Sequence, residues 1–179
     1  MDWNTHSPHQ YRFAAVPFRV DGTRSLSENI NFNGQTFLKD VPTKGTYQFD
    51  TYRLTYRYMF HNAEKWKWNV GGTLLIRDAE IKLEQAGVSS AKSNVGFVPL
   101  LHVSGQRRLT DRLRAQMEFD GLAGGPGRAL DFALKGLYTL SNRWDLGIGY
   151  RTIEGGSDTD SVYTFGWFNA LNVIVTCRF

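Results

Sequence analysis

Residues 163–179 read YTFGWFNALNVIVTCRF. Taken by twos from the C-terminal end, one set is Phe179, Cys177, Val175, Val173, Leu171, Asn169, Trp167, Phe165 and Tyr163. The other is Arg178, Thr176, Ile174, Asn172, Ala170, Phe168, Gly166 and Thr164. Successive strand side chains point to opposite faces, so the stretch predicts one strand with an apolar face, aromatic at its ends, and a mixed face. Strands of soluble domains run to about five or six residues, and this one is far longer.

The pattern recurs upstream. Over 47–60, Tyr52, Leu54, Tyr56, Tyr58 and Phe60 oppose Thr51, Arg53, Thr55, Arg57 and Met59. After a short turn at 61–64, Trp66, Trp68, Val70, Leu74 and Ile76 oppose Lys65, Lys67, Asn69, Thr73 and Arg77. Over 95–108, Phe97, Pro99, Leu101 and Val103 oppose His102, Ser104, Gln106 and Arg108. Beyond a turn at 109–111, Leu113, Ala115, Met117 and Phe119 oppose Arg112, Arg114, Gln116, Glu118 and Asp120. Gly124-Gly125-Pro126-Gly127 signals another turn. Leu130, Phe132, Leu134 and Tyr138 then oppose Asp131, Lys135 and Thr139, and past Ser141-Asn142, Trp144, Leu146, Ile148 and Tyr150 oppose Asp145, Gly147, Gly149 and Arg151. A first strand near 10–20 is phased with Ala14, Val16, Phe18 and Val20 outward and Arg19 inward, with a bulge at Pro17.

This makes about eight strands. The turns near 61–64, 109–111 and 140–142 are short, while 21–46, 78–94 and 154–160 read as longer connections. Asn33-Gly34, between Ile30 and Phe37, is a hairpin signal. Its arms of about five residues are too short to cross a bilayer, so the hairpin belongs to the first long loop. The alternation slips near 78–83, where Ile81 and Leu83 change parity, as a bulge would cause.

Composition sets bounds. A chain of 179 residues fits one domain, 1–179, with residues 1–9 as an N-terminal segment. Mean hydropathy is −0.37, and no run approaches the roughly 18 apolar residues of a membrane helix. The net charge is +4, but the basic residues are scattered along strands, which argues against a nucleic-acid partner. Cys177 is the single cysteine, so no intramolecular disulfide forms. The four histidines lack zinc spacing, Gly155–Asp160 lacks a full calcium loop, and Lys44-Gly45-Thr46 lacks the glycine pattern of a phosphate loop. No metal or cofactor is expected. Met1-Asp2-Trp3-Asn4 is not a signal peptide, so a secreted barrel is read here as its mature part.

Apolar faces on every strand, with charges on the opposite faces, fit a barrel turned outward to lipid. Lipid supplies no hydrogen bonds, so a spanning sheet must close. About eight strands enclose a space that side chains fill. The lumen is predicted to hold Arg53, Arg57, Lys67, Arg77, Arg114, Lys135 and Arg151 with Glu118, Asp120, Asp131 and Asp145. These charges must pair, because isolated buried charge is very costly. Lipid-facing aromatic belts are predicted at the turn end, from Tyr58, Phe60, Trp66, Trp68, Trp144 and Phe179. A second belt, from Tyr52, Phe119, Tyr150, Tyr163, Phe165 and Trp167, lies toward the loop end.

The closing Val175-Thr176-Cys177-Arg178-Phe179 looks like the C-terminal signal read by barrel assembly machinery, and Ser141-Asn142-Arg143-Trp144 is similar to turns frequent in such proteins. In pattern, nearly the whole chain resembles the small Gram-negative outer-membrane barrels of the OmpA, OmpX and OmpW kind. The resemblance implies an all-β, closed, antiparallel up-and-down transmembrane barrel with short periplasmic turns and longer extracellular loops. It implies outer-membrane lipid, lipopolysaccharide and the assembly machinery as partners, and an extracellular ligand at the loops 21–46 and 78–94. It implies no activity.

Chemistry has one sharp candidate. His102, Ser104 and Glu118 supply the residue types of a hydrolase, with His102 placed opposite Glu118 by the turn at 109–111. Lipid A deacylases of the outer membrane use a His-x-Ser pair with a Glu, but their site faces lipid, and this one faces the lumen. Asp120, Arg128 and Asp131 form a second polar set, read as a brace for the hairpin. The expectation is a non-enzymatic envelope or surface-binding barrel with a charged, filled lumen. The alternatives are a lipid A-modifying hydrolase, a narrow anion-preferring channel, and a soluble lipocalin-like barrel with apolar residues inside.

Overall fold

A computed structural model describes the backbone of residues 2–4, 7–124, 127–159 and 162–177, and the side chains of 7–124, 127–156 and 166–177. Among them every regular element is a strand: β1 (Asp2–Asn4), β2 (His9–Val16), β3 (Arg19–Ser25), β4 (Ile30–Phe32), β5 (Gln35–Phe37), β6 (Pro42–Asn62), β7 (Trp66–Gln85), β8 (Val88–Arg108), β9 (Leu113–Gly124), β10 (Gly127–Thr139), β11 (Trp144–Thr159) and β12 (Val162–Cys177). One sheet has ten strands in the order β1-β2-β6-β7-β8-β9-β10-β11-β12, with β3 also pairing β6. From β8 onward the chain is an antiparallel meander of hairpins.

The contacts gather into two units. The first comprises 1–12, 54–74 and 99–179, and the second 13–53 and 75–98. In the first unit the sheet is strongly curled. Arg12 on β2 reaches Glu118 on β9 at 2.7 Å, although β6, β7 and β8 lie between these strands. On a flat sheet four strand steps would separate them by about 19 Å, at roughly 4.8 Å per step. Only a concave face brings the two side chains together.

That face is polar and the convex face is apolar. Arg57, His102, Ser104, Glu118, Asp120, Asp131 and Asp145 are all buried. Leu54, Tyr56, Val70, Leu101, Leu134, Leu146 and Ile148 are exposed. The alternation read from the sequence therefore has the orientation it predicted. Tyr52, Tyr58, Phe60, Trp66, Trp144, Tyr150 and Trp167 are exposed, and Trp68 and Phe119 are half-buried. Trp68 lies against Gly105 of the neighbouring strand, where a Cβ would strike its ring. Phe179 and the side chains of Tyr163 and Phe165 fall outside the described residues.

Three sequence expectations need correction. In β2, Tyr11 and Phe13 are exposed while Arg12 and Ala14 are half-buried, the reverse of the predicted phase for Ala14. Beyond Pro17 no alternation is visible: Phe18 and Val20 are exposed as expected, but so is Arg19, which had been phased inward. Proline cannot donate to the ladder, so alternation does not carry across it. Residues 78–94 are not an open loop. β7 runs on to Gln85, β8 starts at Val88, and Ala86-Gly87 turns with φ of 46° and 85°. These angles suit a two-residue hairpin turn, but alanine is a poor advertisement for a left-handed position. Likewise 154–159 is strand in β11, paired with β12 to Thr159↔Val162.

The second unit packs differently. β4 and β5 form the predicted hairpin, with Asn33 and Gly34 at φ 48° and 80°. Phe37 is fully buried and Leu26 nearly so. The buried Gln85 clamps this segment: its Oε1 accepts from Leu38 N at 2.7 Å, and its Nε2 donates to Leu38 O at 2.8 Å and Thr43 Oγ1 at 2.7 Å. At Glu84, a hydrogen bond from Lys82 holds the carboxyl below its ordinary pKa. Replacing Gln85 with Ala removes the two bonds that hold the Leu38 backbone, each worth about 0.5–1.5 kcal/mol. The expected result is faster limited proteolysis within 38–43 at unchanged global strand content. Equal cleavage rates would show that the clamp does not hold the segment.

Candidate functional site: the buried polar network of the concave face

The network grows from hairpin register. β8 and β9 pair with His102↔Asp120 and Ser104↔Glu118. The acid opposite His102 is therefore Asp120, not Glu118 as the turn at 109–111 had suggested. The connection runs from Arg108↔Arg114 over five residues, and this longer loop moves the partner by two. Thr110 Oγ1 fixes it by accepting from Leu113 N at 3.0 Å.

The outcome is a relay on one strand pair. His102 Nδ1 lies 2.8 Å from Asp120 Oδ1, and His102 Nε2 lies 3.2 Å from Ser104 Oγ. With Nδ1–H donated to the carboxylate, Nε2 is left to accept from the serine hydroxyl. Asn69 Nδ2 donates to the same Oγ at 3.3 Å. Thr73 Oγ1 donates to Asp120 Oδ1 at 2.5 Å and meets Thr55 Oγ1 at 2.9 Å. The order Asp, His, Ser is that of a hydrolytic relay. Its accessibility is not: His102 is 0% and Ser104 2% exposed.

Glu118 does other work. It takes Arg12 Nη1 at 2.7 Å, Lys135 Nζ at 2.7 Å and Gln116 Nε2 at 2.9 Å. Lys135 lies against Gly149 on β11, where an added side chain would press on its stem. Arg12 Nη2 also approaches Asp120 at 3.9 Å. Asp120 and Asp131 face each other across β9 and β10, so this pair of like charges needs cations. Arg151 supplies one with a two-pronged contact to Asp131, at 2.9 and 2.6 Å. Nearer the turns, Asp145 takes Arg114 at 2.6 Å and Thr139 Oγ1 at 2.8 Å.

The predicted lumen residues Arg57, Arg114, Glu118, Asp120, Asp131, Lys135, Asp145 and Arg151 thus belong to the first unit's concave face. Arg53, which is buried, and Arg77, which donates to Asn94 at 2.5 Å, belong to the second unit. Arg128 of the second polar set pairs with Glu154. Sequence reading missed Arg12, Asn69, Thr55 and Thr73. Arg12 was lost to the misphased first strand; the others are common strand residues whose role appears only once the sheet curls. No group of three or more metal-binding side chains occurs among the described residues.

Removing one partner from this network strands buried charge. Glu118→Ala should cost about 3–5 kcal/mol, because Arg12 and Lys135 lose their counter-ion. The triple change Arg12→Met, Glu118→Leu, Lys135→Met should recover most of that loss. Denaturant unfolding of the refolded protein reads both, and a triple variant no more stable than Glu118→Ala contradicts the pairing. No protein-family model, curated protein or solved structure matches this chain, so its functional reading rests on its own residues.

Proposed function

We propose that the protein is an integral outer-membrane β-barrel of a Gram-negative envelope, non-enzymatic, and closed around a lumen filled with paired charges. The observation that carries this reading is the inverted polarity of the first unit: charged residues are buried and large apolar residues are exposed. Water would penalise such a convex face, whereas hydrocarbon favours it. Stacked Trp66 and Trp68, with Arg107 over Trp66 at 5.1 Å, form an amphipathic cluster suited to a headgroup boundary.

Closure belongs to the same proposal. β2 and β6–β12 are eight strands, and in a ring of eight the first and fifth face each other across the diameter. Those are β2 and β9, the strands joined by Arg12 and Glu118. On β12 the inward set Phe168, Ala170, Asn172 and Thr176 is exposed, as expected of a strand with a neighbour still to come. The neighbour proposed for it is β2, and closure there requires the three-residue β1 to give up its pairing with Gln10–Arg12.

Two measurements test this reading. Ile148 is 72% exposed, so Ile148→Arg would be nearly neutral in water but should cost about 2–4 kcal/mol at a bilayer midplane. Vesicle-reconstituted unfolding decides, and a neutral substitution argues against lipid contact. In an antiparallel β2–β12 closure, Cys177 comes beside the start of β2. Single cysteines scanned through positions 7–11 should include one that oxidises with Cys177 in the inserted protein, and no crosslink at any of them argues against closure.

A hydrolase is the second reading, favoured by the Asp120–His102–Ser104 spacing. It requires the lumen to open so that substrate reaches Ser104. Fluorophosphonate labelling of the refolded protein, lost in Ser104→Ala, would establish it. In the structural reading the serine stays unlabelled.

A further inference from the structure

At the turn end of the concave face lies a cavity of about 420 Å³ lined by Asn62, Ala63, Glu64, Lys65, Lys67, Gln106, Arg108 and Arg114. Four of these side chains are cationic and one is acidic. Glu64 is engaged by Arg108 at 2.9 Å, and Arg114 by Asp145 at 2.6 Å. With both acids counted, the lining keeps an excess of two positive charges, carried by Lys65 and Lys67. The Nε of Arg114 is buried there without a hydrogen-bond partner. Further in, Glu118 with Arg12 and Lys135, and the His102–Asp120 pair, occupy the concave face.

We propose that this cavity binds a compact oxyanion of at least two negative charges, such as a phosphate ester, a pyrophosphate or a polycarboxylate. The argument is one of charge and size. Lys65 and Lys67 stand two residues apart where the chain enters β7, so their like charges repel, and a polyvalent anion held between the two ammonium groups removes that repulsion. A volume of this order holds a small metabolite with room to spare, so a monovalent ion would leave both charge and space unmatched. All the lining residues belong to the first unit. The site depends on the first unit's geometry and is independent of whether that unit sits in lipid.

The test is titration calorimetry of the full refolded chain with pyrophosphate, citrate and acetate as probes. Pyrophosphate and citrate should bind saturably with one site per chain, and acetate about tenfold or more weakly. The double change Lys65→Gln, Lys67→Gln should weaken pyrophosphate about fivefold or more. Arg143→Gln, on the turn at the same end but outside the lining, should leave binding unchanged and so control for bulk charge. Strand content by circular dichroism confirms that each variant is folded. Saturable binding equal for all three anions, or binding weakened as much by Arg143→Gln as by the lysine pair, would overturn the proposal. So would the absence of saturable pyrophosphate binding to the unaltered chain.

Discussion

The contact between Arg12 and Glu118 sets the terms for the first unit. It joins strands that are four steps apart in sheet order, so it can exist only where the sheet bends back upon itself. Bending in turn creates the enclosed face on which such charges must find each other. A charge buried there without a partner would cost several kcal/mol, and the face answers with carboxylates that each gather two or more donors. Glu118 collects three, Asp120 takes histidine and threonine, and Asp131 takes the fork of Arg151. Curvature and charge pairing are thus one constraint seen from two sides.

The two units bury different mixtures. The first hides most of the paired ions beside Leu100 and Leu137, while the second hides Phe37 and Leu26 as well as Arg53 and secures its hairpin through the amide of Gln85. β6, β7 and β8 contribute to both, which explains why alternation read along them does not stay in phase. Leu75 is buried and Ile81 exposed, though both are odd-numbered. A single rule for the inside cannot hold along a strand that serves two kinds of interior.

Much of this was legible in the chain. Alternation over residues 51–60 of β6 and in β9–β12 pointed to the strand class and to the inward placement of Arg57, Glu118, Asp131 and Arg151. The Asn33-Gly34 turn was readable because its chemistry is local. What escaped were features fixed by distance or by an unusual turn. The partner of His102 depended on a loop longer by two residues than its turn signal implied. The Ala86-Gly87 turn lacked the asparagine that marks Asn33-Gly34. Arg12 belonged to a short strand interrupted by Pro17, where eight residues carry too little pattern to fix a phase. The relay of Asp120, His102 and Ser104 was visible only in part, since His and Ser two apart share a face in any strand.

The meander from β8 to β12 has a kinetic corollary. Each of its pairings joins neighbours in the chain, so little loop entropy is spent in forming them. Arg12 and Glu118 are separated by 106 positions, so their union closes a loop of more than half the chain. The C-terminal hairpins are thus placed to assemble early, with the N-terminal strand arriving last as the latch.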